Sequence, residues 1–246
     1  MSEANGIRDF FVERFRAEGT PERAAQERRY LKSSLEHYGV SVPRIRALVK
    51  ELHRERKAPS REALIGAARA LWGDGHHESR SAAIALLERY RRSLGGADLD
   101  LVEELLVDCA TWAHVDWLAP HVAGELVARF PKEGAARLDT WARHPSFWVR
   151  RAAMLALLVP IRRGDDPAAF ERFSRYAAAM LAEEEFFIRQ AIGWVLREAS
   201  KKRPEWTARF LETHAKEASA LTFREGARKL PDDLRHRLER VRAERT

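Results

Sequence analysis

The stretch Phe187-Ile-Arg-Gln-Ala-Ile-Gly-Trp-Val-Leu-Arg-Glu-Ala199 decides the fold class. Apolar residues recur at three- and four-residue intervals, and charges fill the positions between, as in an amphipathic helix. The same period runs through Ser81–Arg92, Leu99–Val107, Leu118–Phe130, Val149–Val159, Ala168–Ala182 and Glu217–Leu230. No alternating β-branched run flanks an Asn-Gly or Asp-Gly pair, so no sheet is expected. Breaks fall at short intervals: Gly19-Thr20-Pro21, Val42-Pro43, Ala58-Pro59-Ser60, Gly73-Asp74-Gly75, Gly95-Gly96, Phe130-Pro131, His144-Pro145, Gly164 to Pro167, Arg203-Pro204 and Leu230-Pro231. These are cap, turn and stop signals. None is a long linker, and one domain over residues 1–246 is expected.

The helices repeat. Arg80-Ser-Ala-Ala, Arg150-Arg-Ala-Ala, Arg189-Gln-Ala-Ile and Arg224-Glu-Gly-Ala each open an apolar helix, at spacings of 70, 39 and 35 residues. The first spacing holds two repeats, and the missing unit opens near Val115, within Thr111-Trp-Ala-His-Val-Asp116. A period of about 35–40 residues built from paired helices marks a HEAT-like solenoid. The expected fold is therefore all-α, a curved superhelical stack of antiparallel helix pairs. Arginine at equivalent positions would line its concave face with positive charge, interrupted by Asp116.

The chain has 246 residues, 45% hydrophobic and 33% charged, an ordinary balance for a folded domain. Its net charge is +7, which favours a polyanionic partner without proving one. No apolar run approaches the roughly 20 residues of a membrane span. The opening Met1-Ser-Glu-Ala-Asn-Gly-Ile-Arg-Asp-Phe-Phe11 lacks a signal-peptide pattern, so a cytoplasmic protein without membrane association is expected. Cys109 is the single cysteine, which excludes an internal disulfide and a cysteine-based zinc cluster.

Seven tryptophans are many for this length. Core filling accounts for most tryptophans in most proteins. Trp112, Trp148 and Trp194, however, each lie within five residues of a repeat start or of Asp116. Trp112 and Asp116 are four apart and share a helix face. Aromatic faces beside a carboxylate in a basic groove suit a cationic ligand carried by a polyanion. Asp116 as a helix cap or plain surface carboxylate is the competing reading. Glu103-Glu104, Asp165-Asp166 and Glu183-Glu184-Glu185 read as solvated faces or caps. His76-His77 in a Gly-rich turn, with His114 and His121, offers no complete metal-ligand set and reads as solvent- or DNA-facing. Cys109 on an apolar helix reads as a buried, inert thiol. Walker A, GxSxG, GxGxxG and HExxH patterns are absent.

Glu185 to Glu198, Trp148 to Ala153, and Trp112 followed by Val115-Asp116 resemble the AlkD-type DNA alkylation repair glycosylases. Arg29-Tyr-Leu-Lys32 followed by Gly39-Val-Ser-Val-Pro43 resembles the family's opening helices, and Leu71-Trp72 and Glu78 to Tyr90 fall where expected. The resemblance covers nearly the whole chain, and its Phe-Ile-x-x-Ala-Ile-Gly-Trp block is the most specific part. It implies a HEAT-like superhelix that excises cationic N3- and N7-alkylated purines from double-stranded DNA. It also implies a base that stays stacked rather than flipped. The family's catalytic carboxylate maps onto Asp116, its cleft tryptophans onto Trp112 and Trp194, its cleft arginine onto Arg151, and a DNA-face tyrosine onto Tyr30.

Further contacts to DNA are expected from Lys32, Arg46, Arg150, Arg189, Arg197, Lys201, Lys202, Arg224 and Arg228, each weighed against a plain solvated charge. No metal or organic cofactor is implied, and a monomer is expected. One departure stands out: where the family carries an acid directly after the first cleft tryptophan, this chain has Ala113. An inactive DNA-binding paralogue therefore stays open beside the enzyme, as does a helical-repeat protein-interaction scaffold.

Overall fold

A computed structural model describes residues 2–163 and 166–245. The expected turn at Gly164-Asp165 lies outside the described residues. The described chain is all-helical, and the one β-type pairing among these residues is an isolated parallel bridge between Glu36 and His76. It divides into two compact units, Met1–Leu126 and Val127–Thr246.

The first unit holds α1 (Glu3–Glu18), α2 (Pro21–Leu31), α3 (Val42–Glu55), α4 (Arg61–Trp72), α5 (His77–Arg89), α6 (Leu99–Val107) and α7 (Trp112–Leu118). Serines begin several of these helices. Ser2, Ser41 and Ser60 accept from the backbone N–H groups of Asn5, Arg44 and Ala63, satisfying donors the first turn leaves open. Helix α4 packs on α1 and α5, and α3 packs on α5. Phe11, Phe15, Ile45, Leu48, Leu64, Leu71, Ile84, Leu86 and Leu87 are fully buried there. Each contributes about 1.5–3 kcal/mol through removal from water. Helix α2 differs, because it buries no residue.

Helix α8 (Gly124–Arg129) leads into the second unit. There follow α9 (Pro131–Trp141), α10 (Phe147–Leu155), α11 (Leu158–Arg163), α12 (Pro167–Met180), α13 (Phe186–Ser200), α14 (Pro204–Thr213), α15 (Ala220–Ala227) and α16 (Asp232–Arg245). Proline stands in the first turn of α9, α12 and α14, where its missing N–H costs nothing. The stretch expected as one helix from Val149 to Val159 is broken after Leu155 and resumes at Leu158. That expected from Glu217 to Leu230 shortens to Ala220–Ala227, with Ser219 as its cap.

Helices α13 and α15 approach closely because of two glycines. A Cβ on Gly193 would lie 2.7 Å from Glu225 Cβ and 3.2 Å from the Thr222 carbonyl oxygen. A Cβ on Gly226 would lie 3.1 Å from Leu196 Cβ. Thr222 Oγ1 donates to the Arg189 carbonyl at 3.1 Å across the same contact. The glycine of the Ala-Ile-Gly-Trp block is thus a packing requirement.

Candidate active site and nucleic-acid interface

In the first unit, Thr111 caps α7, its Oγ1 accepting from the Ala113 N–H. Trp112 opens the helix and Asp116 lies one turn on, so both occupy one face, and both are half-buried. The helix continues through a π turn, Ala119–Ala123, in which the Gly124 N–H bonds to the Ala119 carbonyl. Pro120 supplies the cause: it has no N–H to give the carbonyl of Asp116, four residues back, and its ring crowds that carbonyl.

Tyr30, near the end of α2, is 73% exposed, and its ring meets Trp112 edge-on with centroids 5.9 Å apart. Two residues on, Lys32 ends the helix at φ 48°, the left-handed region, and is exposed. A lysine there costs on the order of 1 kcal/mol relative to glycine. Arg46 on α3 lies over the Trp117 ring at 4.7 Å and pairs with Glu88 at 3.3 Å, yet its side chain stays half exposed.

Three imidazoles stack behind this face. His37 and His77 are 4.7 Å apart and nearly parallel, and His77 and His114 are 4.5 Å apart. His77 and His114 are buried, which corrects their expected solvent- or DNA-facing placement: His77 opens α5 pointing inward, and His114 sits on the inner side of α7. Burial holds His77 down to about 4 and His114 well below its ordinary value. His114 Nε2 contacts Ser81 Oγ at 3.3 Å and the His77 carbonyl at 3.1 Å. Cys109 is buried, and burial pushes its thiol far up, as an inert thiol requires.

In the second unit, Arg151 on α10 is fully buried. It donates to the Phe187 carbonyl and, at 3.1 Å, to Gln190 Oε1, and lies 5.7 Å from the Phe187 ring. Trp148 packs on Phe147 at 4.3 Å and on Phe187 at 4.9 Å. Trp194 is half-buried on α13, one turn beyond Gln190 and on its face. The tryptophans thus sort by role. Trp72, Trp117 and Trp141 are core, whereas Trp112, Trp148 and Trp194 keep accessible surface.

The arginines of the repeats differ from the expected basic stripe. Arg80 donates to the Asp108 carbonyl at 2.6 Å and to its carboxylate at 2.7 Å. Arg150 pairs with both oxygens of Glu183, at 3.0 and 2.7 Å, and with the carbonyls of His144 and Pro145. Arg189 donates to the Glu183 carbonyl, Arg197 pairs with Glu225, and Lys201 pairs with Glu198 at 2.7 Å. Arg228 lies 3.8 Å from Glu225 and is largely exposed. Lys202 and Arg224 are exposed. The buried or part-buried arginines hold helices together, and the exposed cations are those able to meet a phosphate.

The family description DNA alkylation repair enzyme matches residues 11–230. This chain belongs to that family. A solved structure named "Predicted DNA alkylation repair enzyme from Enterococcus faecalis" is 26% identical, with a TM-score of 0.78 over 87% of this chain and 97% of that one. Two structures from Streptococcus mutans share the fold. The smu.31 protein of strain UA159 is 18% identical, with a TM-score of 0.59 over 77% of this chain and 98% of that one. AlkD2 is 16% identical, with a TM-score of 0.54 over 83% of this chain and 90% of that one. No curated protein matches the chain. No described helix is long and apolar enough to cross a membrane.

Proposed function

We propose that this member of the family is a DNA glycosylase that hydrolyses the N-glycosidic bond of cationic N3- and N7-alkylated purines in duplex DNA. The observation that carries the reading is the face of α7: Trp112 and Asp116 one turn apart, with the exposed Tyr30 ring against Trp112.

Alkylation at N3 or N7 leaves a positive charge on the purine, so the base departs neutral and needs no strong acid to protonate it. Bond breaking builds positive charge on the deoxyribose. Asp116 stabilises that charge and orients the water that attacks C1′. The water oxygen forms the new bond, its proton passes to Asp116 or solvent, and an abasic sugar remains. Trp112 supplies a π face to the cationic sugar, worth about 0.5–2 kcal/mol, and Trp194 in the second unit offers DNA a further aromatic face. Arg151, in the second unit, contributes a buried positive charge that favours a DNA phosphate. Direct contact with that phosphate requires the Phe187 and Gln190 partners to shift when DNA binds. In this reading the protein grips the backbone, the base stays stacked, and selection follows the lability that charge confers.

The chemistry of selection is testable. Duplexes carrying 3-methyladenine or 7-methylguanine should lose the modified base in excess protein, while a neutral adduct of similar size should not. Equal release of the neutral adduct would contradict charge-based selection. A second reading rests on Ala113, which leaves the position directly after Trp112 in the sequence without a carboxylate. In that reading the chain binds duplex DNA with little or no excision, and binding without release would identify it.

A further inference from the structure

Away from the α7 face, three potential ligands converge in the first unit. One ligand atom each from Glu27 on α2, His37 in the following loop and Glu78 on α5 lie within 4.8 Å of one another. Glu27 Oε2 and both ring nitrogens of His37 are buried with no hydrogen-bond partner among the described residues. Unpaired buried polar atoms are costly, of order 1–3 kcal/mol each, and native chains rarely keep several together.

Glu78 is fully buried and anchors the loop. Its Oε1 accepts from the N–H groups of Gly39 at 2.6 Å and Val40 at 3.1 Å, and its Oε2 accepts from Tyr38 at 2.9 Å. Oε1 therefore has both lone pairs engaged, while Oε2 keeps one. Glu27 brings a second carboxyl beside it, with one oxygen taken by Arg23 and the other bare.

We propose that Glu27, His37 and Glu78 form a binding site for one divalent transition-metal ion of the zinc class. One imidazole and two carboxylates match the nitrogen and oxygen donors such an ion takes, with solvent in a fourth position. The ion neutralises the two carboxylates and supplies the partner that Glu27 Oε2 and one His37 nitrogen lack. Ligands in a tetrahedral site lie about 3.3 Å apart, so closure needs a shift of roughly 1–1.5 Å. Helix α2 can make that shift: it buries no residue, and an open groove of about 770 Å³ lies against it, lined by Phe15, Ala24, Arg28 and His37 among others. The stacking of His37 on His77 orients the ligating ring. The ion would staple α2 to α5, and so hold Tyr30. Only that last consequence depends on the glycosylase reading.

The test uses the untagged full chain, stripped with a chelator, dialysed, and titrated with zinc chloride by calorimetry beside Glu27→Gln and His37→Gln. The site predicts one ion per chain, affinity at least tenfold lower in each variant, and a zinc-dependent rise in Tm for the wild type alone. Absence of one-to-one binding overturns the site, and so does an unchanged affinity in Glu27→Gln. Far-UV circular dichroism checks folding. Should His37→Gln lose helix, Glu27→Gln decides, since α2 contributes no core residue. Ion binding is read without base release, so its failure is distinguishable from failure of the enzymatic reading.

Discussion

The ring of Tyr30 stands edge-on to that of Trp112, with centroids 5.9 Å apart and an interplanar angle of 78°. This pairing joins α2, none of whose residues is fully buried, to the helix that carries Asp116. Tyr30 is mostly exposed, so little folding energy depends on it. Tyr30→Ala should lower stability by no more than about 1 kcal/mol, the scale of one aromatic pair. It should weaken duplex binding several-fold, measured by fluorescence anisotropy, while Tyr30→Phe keeps most of the affinity. A Tyr30→Ala variant that binds as tightly as wild type would remove Tyr30 from the interface.

The exposed cations and the buried ones should separate in a salt titration. Duplex affinity should fall linearly with the logarithm of salt concentration. Lys202→Ala and Arg224→Ala should each reduce the slope by about 0.9 for every phosphate the side chain neutralises in the wild type. Arg150→Ala should leave the slope unchanged and lower Tm instead, because it strips partners from Glu183 and two carbonyls. A lowered slope for Arg150→Ala would place that side chain on DNA.

Gly193 sits mid-helix, where alanine would ordinarily gain about 1 kcal/mol. The added Cβ would instead meet Glu225 Cβ at 2.7 Å, so α13 and α15 must separate. Gly193→Ala should therefore destabilise the chain by about 1–3 kcal/mol, read by urea unfolding. A neutral or stabilising result would show that the two helices pack loosely.

His114 is neutral in the folded chain, whereas the unfolded chain protonates near the ordinary 6.5. Its contribution is complete above that pH and is lost as pH falls below it, because the unfolded state then binds the extra proton. Stability should drop on acidification below about pH 6.5, by up to about 1.4 kcal/mol per pH unit for this residue. His114→Phe should be less stable at pH 8, because phenylalanine cannot bond Ser81 or the His77 carbonyl, but flatter between pH 6.5 and 5. An equally steep acid limb in the variant would assign the effect to other groups.

The helical period and the repeat were legible because they are local. Arg80, Arg150 and Arg189 are each the fourth residue of their helices, and the missing unit near Val115 is the fourth residue of α7, whereas Arg224 is the fifth residue of α15. What those arginines bind was not legible. Arg80 reaches Asp108 and Arg150 reaches Glu183 across folded distances that no spacing rule encodes. The histidine column was missed for the same reason: His77 follows a glycine-rich turn, a surface signal, yet its stacking partners His37 and His114 come from distant segments. Glu27, His37 and Glu78 likewise match no ligand motif. Asp116, Trp112, Arg151 and Trp194 came chiefly from family resemblance. Physical reasoning alone offered an aromatic and an acid on one helix face, and the structure adds that Trp112 and Trp194 stay out of the core.

The most direct test is single-turnover release of 7-methylguanine from a duplex carrying one such lesion, for wild type beside Asp116→Asn. The account predicts release well above the spontaneous rate for wild type and a loss of about 10²-fold or more, on the order of an electrostatic stabiliser removed, in the variant. Duplex affinity should be retained. Spontaneous-rate release by wild type with tight binding intact would contradict the enzymatic claim, and undiminished release by Asp116→Asn would contradict the role given to its carboxylate.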